Sequence, residues 1–78
     1  MVDGVLISYN KLWKLLIEMK MSGSDLRKKA GLTTTVMAKM KREEPVHLEA
    51  LIKICKVLEC GLDDIVEVFV IKENEIKR

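Results

Sequence analysis

The sequence predicts an all-α domain of five helices, with a short C-terminal β-strand and a candidate strand at the N-terminus. Three observations predict it. Apolar residues recur at helical spacing from Leu12 to Leu58. Turn signals at Gly31, Pro45 and Gly61 cut that pattern into short pieces. The chain has 78 residues, room for one domain with one core, and only Tyr9, Trp13 and Phe69 are aromatic. That core must come from Leu, Ile, Val and Met, which suits packed helices.

Helix 1 is expected after Ser8, a good N-cap, and runs to about Lys20, with Leu12, Leu15, Leu16 and Met19 as its core stripe and Trp13 and Ile17 beside it. Ser22 and Asp25 then stand in the spacing of a capping box, so helix 2 covers about residues 23–30. Gly31 can take the left-handed conformation that ends a helix. Thr33 is the next N-cap, and helix 3 runs to about Lys41 with Met37 and Met40 facing inward. Pro45 cannot continue that helix. Helix 4 is placed at about 47–59, with a stripe of Leu48, Leu51, Ile52, Cys55 and Leu58, and Gly61 is expected to close it. Helix 5 begins at "LDDI", where Asp63 and Asp64 suit a helix N-terminus. The tail, 66–73, is rich in β-branched residues and reads as a strand, as does "GVLIS" near the start. A lone strand is not stable, so the tail needs a partner, either that N-terminal segment or the tail of another subunit.

The net charge of +2 conceals an asymmetry. Residues 9–42 hold nine Lys/Arg against two acids, giving +7, whereas residues 43–78 hold five bases against nine acids, giving −4. A one-sided positive field favours a polyanionic partner. No run approaches the roughly 18 apolar residues of a membrane span, and "MVDGVLISYN" has an acid where a secretory signal would be basic. Cys55 and Cys60 are too few for a disulfide framework, and with one histidine they fall short of a zinc site, so no metal is expected. Neither a nucleophile–His–acid set nor a phosphate-binding glycine loop is present, which argues against an enzyme, a cofactor or a small-molecule substrate.

Two short helices joined by a tight glycine turn, the second opening on polar residues, make a helix-turn-helix pattern at about 23–41. Over residues 7–65 the chain resembles the compact Cro-like regulators of the phage-repressor class, the XRE family, through "SYNKLWKLL", "DLRKKAG" and "LIKICKVLEC" in that order. The resemblance implies a lambda-repressor-like DNA-binding domain spanning 1–78. It implies a bacterial or phage-encoded, cytoplasmic transcription regulator, expected to be a repressor, that binds double-stranded DNA as a homodimer with helix 3 in the major groove.

Carried over by position, the resemblance makes Thr34, Thr35, Val36 and Lys39 base-reading residues. It makes Ser22, Gly23, Ser24, Thr33, Lys41 and Arg42 phosphate contacts. The chemistry permits this. Thr donates, accepts and offers a methyl, Lys favours guanine acceptors, and amides at a helix start attract phosphate. His47 could approach a further phosphate, but a plain helix-start role is the simpler reading; Arg27, Lys28 and Lys29 suit a helix C-terminus without any ligand. Arg27 stands where the family has a small residue, and helix 3 lacks the Arg, Asn and Gln that make bidentate base contacts. Glu43 and Glu44 would repel phosphate and are expected to face away from DNA. Ile54, Val57, Val68, Phe69 and Ile71 are candidate dimer contacts, in excess of one core face. The competing reading is a protein-interaction module, antitoxin-like or regulator-binding, on the same scaffold.

Overall fold

The computed structural model describes residues 4–71. Strand β1 (Val5–Ser8) leads into α1 (Asn10–Glu18), α2 (Gly23–Ala30), α3 (Thr34–Lys41) and α4 (Leu48–Leu58). A single 3₁₀ turn, Leu62–Asp64, then leads into strand β2 (Glu67–Val70). The expected fifth helix is therefore one 3₁₀ turn. The Gly61 amide bonds the Asp64 carboxylate at 2.9 Å, so Asp64 does cap a helical start. The sequence then turns β-branched at Ile65 and Val66, and the chain enters β2.

β1 and β2 pair antiparallel in the register Val5–Val70, Leu6–Phe69, Ile7–Val68 and Ser8–Glu67. The tail's partner is thus the N-terminal segment of its own chain. Positions 72 and 73 of the expected tail strand lie outside the described residues. Lys11 fastens the base of this ribbon, donating to the Asp63 carbonyl at 3.1 Å and lying 3.6 Å from the Glu67 carboxylate.

All four helices end by one device. A residue in the left-handed region follows the helix, and the next amide reaches back five residues. These bonds are Met21 to the Leu16 carbonyl (2.9 Å), Leu32 to Arg27 (2.9 Å), Glu44 to Lys39 (2.9 Å) and Cys60 to Cys55 (3.1 Å). Only α2 uses a glycine there, Gly31 at φ 70°; the others use Lys20, Glu43 and Glu59 at φ 54–59°. Glu59, not Gly61, therefore closes α4. Gly61 has φ −90°, and a side chain there would meet the Asp63 carboxylate, so its role is space. α1 begins one residue later than expected. Tyr9 is its N-cap, while Ser8 Oγ accepts from the Asn10 amide at 3.2 Å.

One hydrophobic cluster fills the interior, with Tyr9, Leu12, Leu26, Met40, Ile54 and Ile65 fully enclosed. Ile54 is a candidate dimer contact in sequence, but it is 0% exposed and already spent inside the chain. The buried face of α4 is Ala50, Leu51, Ile54 and Leu58, one step round from the expected stripe. Leu48 and Ile52, assigned to that stripe, are exposed, and so are Ile17 of α1 and Met19 just past its end. Among the described residues no helix is long and apolar enough to cross a membrane.

Candidate nucleic-acid interface

α2 and α3 owe their positions to side chains that hold their first turns. Ser22 Oγ accepts from the Asp25 amide at 3.0 Å, and the Asp25 carboxylate accepts from the Ser22 amide at 3.1 Å. That is the expected capping box. Its first consequence is electrostatic. Bonds from the amide, then the hydroxyl, of Ser22 hold the Asp25 carboxyl below its ordinary range, with Lys29 and Lys28 adding attraction. The second concerns phosphate. The Ser22 amide, a candidate contact, is committed to Asp25. At the α2 start the amides of Gly23 and Ser24 precede the first intrahelical bonds, Asp25 being held by Ser22 and Leu26 bonding the Ser22 carbonyl at 3.0 Å. They are the open donors of this terminus.

The turn carries the chain from α2 to α3 through Gly31 and Leu32. Leu32 is buried and anchors the turn in the core. Thr33 then caps α3, its Oγ1 accepting from the Val36 amide at 3.1 Å. The helix buries Met37 and Met40, three apart, so the opposite face is fixed by helical geometry. Thr35 and Lys39, four apart, fall on that outer face, and Thr34 flanks them; all three are exposed. Val36 is half-buried against the core, so its methyls are shared with the interior.

The end of α3 departs from expectation. Arg42 is exposed, but its Nε donates to the Glu44 carboxylate at 2.9 Å. This pair depresses the Glu44 carboxyl and raises the Arg42 guanidinium. Glu44 thus turns onto the residue expected to hold a phosphate instead of facing away from it. Its backbone is held too, since the Tyr9 hydroxyl donates to the Glu44 carbonyl at 2.8 Å. Tyr9 is 1% exposed, and burial pushes its phenol up. Sequence reasoning assigned Tyr9 no such role. Its signal was an isolated aromatic at the foot of α1, but the contact spans 35 residues and no local pattern reveals it.

Among the described residues, the two ion pairs are Lys11–Glu67 and Arg42–Glu44, so Lys39 and Lys41 are unpaired cations beside the outer face of α3. Lys28 and Lys29 are exposed on the last turn of α2, and Arg27 is half-buried. His47 is the exposed N-cap of α4 and makes no side-chain cap bond. The arrangement can therefore offer hydroxyls and one ammonium to base edges, with open amides and a second ammonium for phosphates. The candidate dimer contacts lie elsewhere. Val57 is half-buried, while Val68, Phe69 and Ile71 stand exposed on the ribbon.

Comparison with known proteins agrees with this geometry. The family model of the Cro/C1-type HTH DNA-binding domain matches residues 11–69, which take in α1 from its second residue, α2 to α4 and most of β2. The chain is also similar to the crystal structure of the transcriptional regulator VanUg, with 40% identity and a TM-score of 0.83, over 88% of this chain and 92% of that one. No curated protein sequence matches it significantly.

Proposed function

The chain belongs to the Cro/C1-type helix-turn-helix DNA-binding family, and from that premise we propose that it is a cytoplasmic transcriptional repressor acting as a homodimer. It lays α3 in the major groove of a two-fold operator. Thr34, Thr35 and Lys39 read base edges, with Val36 contributing a partial methyl contact. The Gly23 and Ser24 amides and Lys41 hold the flanking phosphates. The observation that carries the reading is the outer face of α3, where two hydroxyls and an unpaired ammonium stand exposed opposite Met37 and Met40. The name of the similar solved protein, a transcriptional regulator, supports the same class of function.

Arg42 is a conditional member of this set, because it must exchange Glu44 for a phosphate. The experiment is a titration of labelled duplex DNA across a salt series. Wild type is expected to lose affinity steeply as salt rises, and Glu44→Gln, which frees Arg42, to bind more tightly with a log–log slope steeper by about 1. A salt-independent affinity would contradict phosphate binding. It would favour the second reading, an interaction module docking through the exposed Leu48, Ile52 and Leu62 of α4 and the 3₁₀ turn.

A further inference from the structure

The end of α4 brings the two cysteines of the chain together. Glu59 stands in the left-handed region, and the Cys60 amide donates to the Cys55 carbonyl at 3.1 Å. A helix closed in this way sets the side chains of its two bonded residues against each other. At the other three helix ends those residues are Leu16 and Met21, Arg27 and Leu32, and Lys39 and Glu44; only α4 puts two thiols there. The bond also holds the two Cα atoms within about 7 Å.

Both thiols are free and half-buried. They line one groove with Leu48, Ile52 and Leu62, three exposed apolar side chains. Lys56 and Asp64 line it as well. Burial, chiefly, pushes the Cys60 thiol up, and the Cys55 thiol and the Asp64 and Asp63 carboxylates push the same way, so all three stand near enough to act on it.

Donor count decides what such a pair can hold. Zinc and iron–sulfur centres take about four ligands. Among the described residues no group of three or more His, Cys, Asp or Glu side chains could hold a metal. Two thiols without a third donor suit a soft ion that binds two sulfurs, and among biological metals thiolates select copper(I) in this way. We propose that Cys55 and Cys60 form a two-coordinate site for copper(I) at the end of α4.

On binding, two S–Cu bonds form and two S–H bonds break, and both protons leave to solvent. The copper stays in its monovalent state, so no oxidant or reductant is consumed. The bound ion and its two thiolates carry one net negative charge, which the Lys56 ammonium offsets from the same groove. Asp63 and Asp64 supply a negative field that draws the cation in. Leu48, Ile52 and Leu62 limit water at the sulfurs, which favours a soft ion over a strongly hydrated one. None of these residues belongs to the proposed DNA contacts, so the site stands or falls apart from that reading.

The test uses the full chain, reduced and kept free of oxygen, titrated with copper(I) in competition with a chromophoric copper(I) chelator. One ion per chain is expected, with ultraviolet thiolate-to-copper charge-transfer absorption. Cys55→Ser and Cys60→Ser are each expected to lose about a hundredfold or more in affinity, because one thiol lacks the advantage of a second held beside it. If Cys55→Ser does not fold, Cys60→Ser, beyond the helix, carries the comparison. Excess zinc should leave the binding unchanged, and displacement by zinc counts against a two-sulfur site. The Cys55→Ser/Cys60→Ser chain measures what the methionines and other groups hold. A wild type that binds no tighter than this double variant overturns the proposal. So does a single variant as tight as wild type, or one copper per two chains, in which thiols of separate copies would meet at the ion. X-ray absorption at the copper edge should show two sulfur neighbours, and a shell of three or more ligands overturns the two-coordinate assignment.

Discussion

The helix-turn-helix of residues 22–42 and the β1–β2 ribbon meet solvent in opposite ways. The first exposes hydroxyls, ammonium groups and two helix-start amides, and each of its helix ends is closed by groups a few residues away. The second exposes leucine, valine, phenylalanine and isoleucine, and its outer backbone groups are left open. The difference is one of where structure is completed. The helix pair is complete within the chain and offers polar groups to a charged partner. The ribbon pairs only within itself among the described residues and leaves apolar side chains facing water.

The sharpest break of this comparison is in the core. Met40→Ala, at a fully buried position of α3, is expected to cost about 2–5 kcal/mol in urea denaturation. Val68→Ala, on the exposed ribbon, is expected to cost about 0.5 kcal/mol or less. Equal costs would mean that the ribbon belongs to the same packed unit as the helices.

Next comes the cap. Thr33→Ala removes the acceptor of the Val36 amide and should cost about 1 kcal/mol, lowering the melting temperature by about 4–8 °C. It should also weaken DNA binding by fraying the turn that carries Thr34 and Thr35.

The smallest expected effect is pH-dependent. The Asp25 carboxyl is held low by the Ser22 amide and hydroxyl, so its folded pKa lies below its unfolded one. A depressed carboxyl stabilises above the unfolded value, near pH 4, and loses that contribution as pH falls through the folded value. Asp25→Asn should therefore melt below wild type at pH 7, with the difference closing as melts are repeated from about pH 4 downward. A gap constant with pH would mean that the charge of Asp25 is irrelevant to the box.

The same contrast explains what could be read from sequence. The Ser22–Asp25 box, the Gly31 turn, the Thr33 cap and the inward Met37 and Met40 were all legible, because each depends on neighbours within four residues. Partnership of the tail with the N-terminal segment was legible only as one of two options, since strand type is local and strand pairing is not. The left-handed ends at Lys20, Glu43 and Glu59 were hidden because none is a glycine. Tertiary context pays the conformational cost that a glycine would have signalled. In α4 almost every position is apolar, so periodicity could not separate the buried Ile54 from the exposed Leu48 and Ile52. In the candidate site, Thr34, Thr35 and Lys39 stand where the pattern put them. The Tyr9 contact was not foreseen because it joins residues 35 apart; the Arg42–Glu44 pair is local, but it forms across the left-handed turn at Glu43, which no glycine signals.

The central claim is that the outer face of α3 reads DNA in two-fold fashion. The most direct measurement is selection from random duplex DNA at moderate salt, followed by sequencing, with Thr35→Ala/Lys39→Ala beside wild type. The account predicts a palindromic motif with half-sites about one helical turn apart, enriched by wild type and lost in the double variant while its helical circular dichroism is unchanged. The same motif enriched by both proteins would contradict it, placing sequence recognition elsewhere than on the exposed face of α3.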